Sequence, residues 1–415
     1  MAALMVVLLA LTAFRIHRNY APAGDFDWSR RGFSDFHNGT YLPTRAFVDG
    51  KLPYSTEVAN EYEMSRAAPP YSPVVFLIHI PFAILPLKFA SALFFAYSAA
   101  LLAGLAWCSL KMSKQPFRWF DFLAITNLLL ISRPGHITLF TGYFTTEIVI
   151  GCMLALHFAK ERPGISGVGL VLASMKPNFL IPLVLLMALR GNFKALLFGG
   201  LFCVLTAGGG LAWLSYHNGL PNVINSVRSG QESLHVDPTE MPVNTWTRVD
   251  LVGMFAKVFN WVPEDAIYLL GMLTIIISVG FSIRRVSRIE ANHGASGPSA
   301  LIAVLTILLS VYHHSYDCTL LAVPTIGLLL FGNATMPEVS PAIRKAVAIL
   351  LAVPAVNYLS TKSAMGLLKL EPLGFAWQAV TLINGLCLLL ALVLLVCSLI
   401  KLKSPLSSKA SHVAT

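Results

Sequence analysis

Asp35 stands in Gly32-Phe33-Ser34-Asp35-Phe36-His37-Asn38, a polar turn whose aromatic flanks would dock at the lipid headgroup level. A carboxylate there can take a proton from an attacking hydroxyl. Ser and Asp also favour helix N-caps, so the same residue can open a helix over about 36–48. Asp25, Asp27 and Asp49 are open to the same two readings. Lys176, in Ala173-Ser174-Met175-Lys176-Pro177-Asn178, is a lone cation between two apolar half-segments. It can meet an anionic lipid phosphate, helped by the free N–H groups at the start of the helix after Pro177, or it can anchor a short hairpin at the interface. Arg133-Pro134-Gly135-His136 reads as a short turn between apolar segments, with Glu147 in the next helix. Ionisable groups at membrane depth are functional candidates; snorkelling to headgroups is the other reading for Arg133. Tyr312-His313-His314-Ser315-Tyr316-Asp317 sets two imidazoles and a carboxylate within six residues. Such a turn can shuttle a proton or bond a phosphate near neutral pH, or simply satisfy its histidines with backbone. An adjacent His pair supplies too few ligands for a metal site, so no metal is expected.

The elements that must carry these residues are membrane helices. Of 415 residues, 56% are hydrophobic and 12% charged, with a mean hydropathy of +0.68, whereas soluble domains carry about 25% charged residues. An all-α polytopic membrane protein follows, and a soluble globular fold is excluded. Twelve spans are expected at roughly 1–14, 89–110, 120–132, 137–159, 164–175, 178–190, 195–214, 265–283, 299–311, 317–332, 346–359 and 374–400. The first stretch lacks a basic n-region and an A-x-A site before Arg15, and reads as a retained helix. The proline-bounded stretch from Pro69 to Leu85 reads as an interfacial or re-entrant helix.

With that parity, one set of loops collects Lys111, Lys114, Arg118, Lys160, Arg162, Arg190, Lys194, Arg284, Arg285, Arg288, Arg344 and Lys345, then Lys401, Lys403 and Lys409 in the tail 401–415. The positive-inside rule makes that set cytoplasmic, both termini with it. Only Asp121, Glu161, Glu290 and Glu338 accompany it, so the remaining acids and all the candidates above lie towards the outer side. The net charge of +10 therefore comes from topology and implies no nucleic acid. Two outer segments exceed simple connections: 15–88, whose Phe26, Trp28, Phe33, Phe36, Tyr41, Tyr54, Tyr62 and Tyr71 argue for a folded, membrane-hugging cap, and 215–263. The six cysteines form no CxxC pair and read as small core residues. Neither GxGxxG nor a Walker sequence is present, and Gly208-Gly209-Gly210 lies inside a span. A cation, histidines and a carboxylate on one face suit a substrate with an anionic head at the surface and its lipid tail in the bilayer.

Four patches in order extend this reading. They are Ser34-Asp35-Phe36 with Gly50-Lys51-Leu52-Pro53-Tyr54; Pro70-Tyr71-Ser72-Pro73 with Pro81-Phe82-Ala83-Ile84-Leu85-Pro86; Gly135-His136-Ile137-Thr138 leading to Lys176-Pro177; and Ser310 to Pro324 with His313, His314 and Asp317. As a series over about 30–330 they resemble glycosyltransferase family 87, the bacterial polyprenyl-phosphate-mannose-dependent group of the C superfamily of membrane glycosyltransferases. His136 and Thr138 stand where that family more often has Gln and Asn. The resemblance implies a single integral membrane domain over 1–415 with a structured catalytic first outer loop, in a bacterial inner membrane. It also implies a hexose, mannose first, moved with inversion from a polyprenyl-phosphate donor to a lipid-linked or glycolipid acceptor hydroxyl on the outer face. Asp35 would be the general base; Lys176, Arg133, His313 and His314 would hold the donor phosphate; His136, Asn38, Tyr71 and Asp317 would touch substrate. No cofactor or divalent cation is implied beyond the donor itself. A protein or lipid A-type acceptor remains open within this class. From another class, a twelve-helix secondary transporter competes, although it should carry charge near the midplane and show inverted repeats.

Overall fold

The computed structural model describes residues 1–20, 31–65, 67–236, 241–262, 264–290 and 293–400. Asp25, Asp27, Phe26, Trp28 and the tail 401–415 lie outside the described residues. Within them the regular structure is helical, joined by turns and loops, with no strand and with two isolated bridges, Tyr20 with Gly32 and Arg248 with His314. Six helices are long and apolar enough to cross a membrane: Leu87–Met112, Phe193–Asn218, Asp265–Ile289, Ser315–Thr335, Pro341–Ser360 and Phe375–Ile400. A seventh crossing exists if Trp119–Ile131 and Arg133–Thr141, bent by 69° at Ser132, count as one.

Helix length bears out only part of the twelve-span pattern. Each expected span has a helical counterpart, but Thr145–Phe158, Pro163–Ala173, Pro177–Leu189 and Pro298–Ser310 have only 11 to 14 residues. At 1.5 Å per residue they reach about 16–21 Å, short of a hydrocarbon core about 30 Å thick. Hydropathy cannot distinguish a core helix from a lipid-facing one, because both are apolar all round. Pro298–Ser310 makes the point, since every one of its residues is buried.

The short helices meet the long ones at one end. Ser296 donates to the Met112 carbonyl at 2.8 Å, the Ala295 N–H to His157 Nδ1 at 3.2 Å, and Arg190 to the His293 carbonyl at 2.6 Å. The loops expected to share the basic face thus gather together. At the other end the short helices finish at a recess whose lining includes Lys176 and Tyr312 beside their ends and Asp265 and Ser315 at the ends of two long helices. Packing beneath it is close: a Cβ on Gly151 would sit 2.7 Å from the Gly169 carbonyl oxygen, so the helices Thr145–Phe158 and Pro163–Ala173 touch backbone to backbone.

Over the recess lies the first outer segment. Ser34–Phe36, the π-turn His37–Tyr41 and Leu42–Val48 run as one helix. The start is two residues earlier than the sequence suggests, so Asp35 lies in the first turn and the cap position belongs to Phe33. Val74–Ala83, with 10 residues, is too short to cross alone. The second long segment is largely helical, with Leu220–Val236 and Leu251–Phe259.

Candidate functional site

A cavity of about 1290 Å³ opens where the short helices end. Its lining includes Asp35, Asn38, Tyr71, Arg133, His136, Lys176 and His314, drawn from five separate stretches of the chain.

Asp35 is placed by its neighbours. Phe33 adopts a left-handed backbone, φ 62°, and its N–H bonds the Phe140 carbonyl at 2.9 Å. Phe33 and Phe36 are buried, and Phe36 stacks on Phe94 with centroids 4.4 Å apart. With these two rings driven inward, Ser34 and Asp35 between them reach the cavity. Gly142 makes the docking possible: its φ is +73°, and a Cβ there would lie 2.6 Å from the Phe36 Cβ.

Lys176 is held extended (φ −128°, ψ 121°) because the residue before a proline avoids the helical region. Its ammonium lies 4.3 Å from the Tyr143 ring centroid, 5.4 Å from that of Tyr316 and 3.8 Å from Asp317 Oδ1. This buried cation is stabilised by ring faces and by the long ion pair with Asp317 among its contacts. Asp317 is occupied on its other oxygen, Oδ2, which accepts the His314 N–H at 2.9 Å and pairs with His313 Nδ1 at 3.1 Å.

The late His turn divides into an outer and an inner side. His314 lines the cavity, with Nδ1 2.6 Å from the Thr247 hydroxyl and Nε2 bonded to Tyr312. Both ring nitrogens are therefore engaged inside the protein. His313 and Asp317 are fully buried and lie behind the lining, His313 edge-on to Phe179 at 4.5 Å. Asn38 spends its amide on the Ser34 carbonyl and on the Ser65 N–H. The Tyr71 and Tyr143 hydroxyls lie 2.7 Å apart. Glu147 faces the bundle interior rather than the cavity, paired with His79 at 3.1 Å.

Arg133 and His136 do not form a free turn; they open the helix Arg133–Thr141, capped by the Ser132 hydroxyl. Arg133 is buried, donates from Nη2 to the Ser360 carbonyl at 3.0 Å, and leaves Nη1 without a hydrogen-bond partner among the described residues. A buried guanidinium nitrogen that lines a cavity and lacks an acceptor is a ready anion contact.

Sequence reading missed the clasp on the other wall. Arg248 and Asp250 form a buried bidentate pair at 2.7 and 2.8 Å, with the guanidinium 4.7 Å over Tyr312. Burial alone would raise the Asp250 carboxyl, but the Arg248 charge and the Gly253 N–H outweigh it and hold it below the usual carboxylate range. The Val249 N–H to His313 carbonyl and Ser315 N–H to Thr247 carbonyl bonds, at 3.0 and 2.7 Å, tie the second outer segment to the His turn. The Arg-x-Asp spacing before the helix Leu251–Phe259 is a capping signal, and Asp250 does accept from Gly253 at 2.9 Å. Nothing in the spacing shows which turn it would grip.

The model of glycosyltransferase family 87 matches residues 70–311. The chain belongs to glycosyltransferase family 87. No curated protein and no solved structure matches it. This family member is thus a membrane glycosyltransferase, and the matched stretch carries Arg133, His136 and Lys176. Asp35 precedes that stretch and His313, His314 and Asp317 follow it, so their part rests on the cavity's geometry.

Proposed function

We propose that this family 87 enzyme moves a hexose, mannose first, from a polyprenyl-phosphate donor to a lipid-linked or glycolipid acceptor hydroxyl, with inversion. The observation that carries the reading is that Asp35 and Lys176, remote in sequence, line one cavity cut into the bundle. Asp35 takes the acceptor hydroxyl proton, the oxygen attacks the anomeric carbon, and the bond to the phosphate oxygen breaks. Lys176 and the open Nη1 of Arg133 offset the charge developing on the leaving phosphate. His314, with both nitrogens engaged, shapes the wall, while His313 and Asp317 set the position of Lys176. Tyr71 and Asn38 border the substrate space. A recess opening among the helix ends suits a phosphate whose lipid tail stays in the bilayer. The basic loops at the opposite end make the cavity face the outer side of a bacterial inner membrane, with both termini cytoplasmic. No divalent cation is required, so EDTA leaves transfer unchanged.

The test is transfer of radiolabel from polyprenyl-phosphate-mannose, or from its glucose counterpart, to membrane lipid extract by purified protein in lipid. Wild type labels a new lipid, and Asp35→Asn loses roughly 10²-fold or more of that rate. An Asp35→Asn enzyme within a few-fold of wild type removes the carboxylate from the mechanism. Absence of transfer from both donors overturns the donor class.

A further inference from the structure

His136 lines the cavity on a ring that receives an unusual bond. Arg15 Nη1, at the end of the helix Ala2–Arg18, lies 2.6 Å from His136 Nε2. A guanidinium carries only donors, so Nε2 must present its lone pair. The imidazole is then neutral, and its single proton sits on Nδ1. His136 makes no other side-chain hydrogen bond among the described residues, which leaves that Nδ1–H on a half-buried ring at the cavity. Phe140 fixes the arrangement: the Arg15 guanidinium stacks 4.6 Å over its ring, and the His136 ring lies nearly parallel to it at 13°. Of the charged and titratable groups on the elements packed here (Asp35, Tyr316, Asp317, Tyr358, and Arg133 on the same helix), Arg15 is the one hydrogen-bonded to the imidazole among the described residues.

We propose that Arg15 is a positioning residue that holds His136 as a neutral hydrogen-bond donor, its Nδ1–H offered to an oxygen of the sugar substrate. His136 then reads a hydroxyl or ring oxygen and adds no charge of its own, unlike Lys176 and Arg133. The substrate half of this inference rests on the transfer reading above; the tautomer half rests on geometry alone.

The experiment uses the full chain in lipid nanodiscs with ¹⁵N-labelled histidine, the His136 ring signals being assigned by their loss in His136→Gln. Wild type shows the Nδ1–H neutral tautomer without protonation between about pH 8 and 5.5. Arg15→Met removes the donor but leaves the burial, so Nε2 is free to carry the proton and the neutral ring becomes a mixture of both tautomers, while Arg15→Lys, which can still donate, keeps the wild-type form. An Nε2–H tautomer in wild type, or the same single tautomer in wild type and Arg15→Met, overturns the assignment. Donor titrations at about pH 6 then test the substrate half. Arg15→Met raises KM for the polyprenyl-phosphate sugar up to about tenfold, and Arg15→Lys restores it. An unchanged KM with the expected tautomer overturns substrate reading by His136. Should wild type transfer no sugar, the transfer reading falls while the spectra still decide the tautomer.

Discussion

The two ends of the bundle both bury charge, and they treat it differently. At the basic end Glu290 spends both oxygens: Oε1 on the Ser299 hydroxyl at 2.6 Å, Arg190 at 3.1 Å and His293 at 3.2 Å, and Oε2 on the Ser299 N–H at 2.9 Å. At the cavity end Arg133 Nη1 and Asp317 Oδ1 have no hydrogen bond among the described residues, and Lys176 stands 3.8 Å from its carboxylate. The filled Glu290 carboxylate ties helices together, although Arg190 Nε beside it also lacks a partner among the described residues. Incomplete hydrogen bonding of a buried charge is thus a candidate for binding where the residue also borders the cavity, as Arg133 and Lys176 do.

Breaking the saturated end should cost stability. Glu290→Ala strands the buried Arg190 and should destabilise by about 3–5 kcal/mol, read as thermal unfolding in detergent, with unchanged specific activity in the folded fraction. Lost activity at full stability would erase the contrast. Asp250→Asn loosens the clasp on the His turn by about 1.5–3 kcal/mol at pH 7. Because the folded carboxyl lies below its unfolded value, this difference is present above about pH 4 and is lost as pH falls through the folded value. Stability curves of the two proteins that stay separated down to pH 2 would contradict the pairing. At the open end, Lys176→Met should cut transfer by about tenfold to hundredfold while shifting the melting temperature less than Glu290→Ala does. Equal losses of stability in both would make Lys176 structural. Smallest is Glu232→Gln, which removes an exposed i,i+4 pair with Arg228 at 3.0 Å and should change stability by no more than about 0.5 kcal/mol and transfer not at all. A larger effect would mean that the helix Leu220–Val236 has a part in the site beyond lining it.

Much of the site was legible because local chemistry betrays it. A lone lysine before a proline, an aspartate between aromatics and a His-His-x-x-Asp turn are each conspicuous in an apolar chain, and Asp35, Lys176 and His314 do meet at the cavity. Harder to read was the division of labour within the His turn, where His313 and Asp317 turn inward and His314 outward; neighbouring residues of one turn face opposite ways, and no spacing reports which side is wet. Arg15 and the Arg248–Asp250 clasp were missed because their partners, His136 and the His turn, lie far along the chain.

What the sequence determined by itself was the medium, since hydropathy demands a membrane, and a sorting of the loop charges into a basic set and a more acidic one. Helix count and depth were decided by tertiary structure. Apolar segments of 11 to 14 residues are too short to cross alone and form here packed among neighbouring helices, as Pro298–Ser310 is buried throughout, with the cavity opening beside their ends. Which polar groups within it keep an open valence is likewise a matter of three-dimensional partners, since a hydrogen bond needs about 3 Å and a direction, neither of which sequence spacing encodes across distant helices.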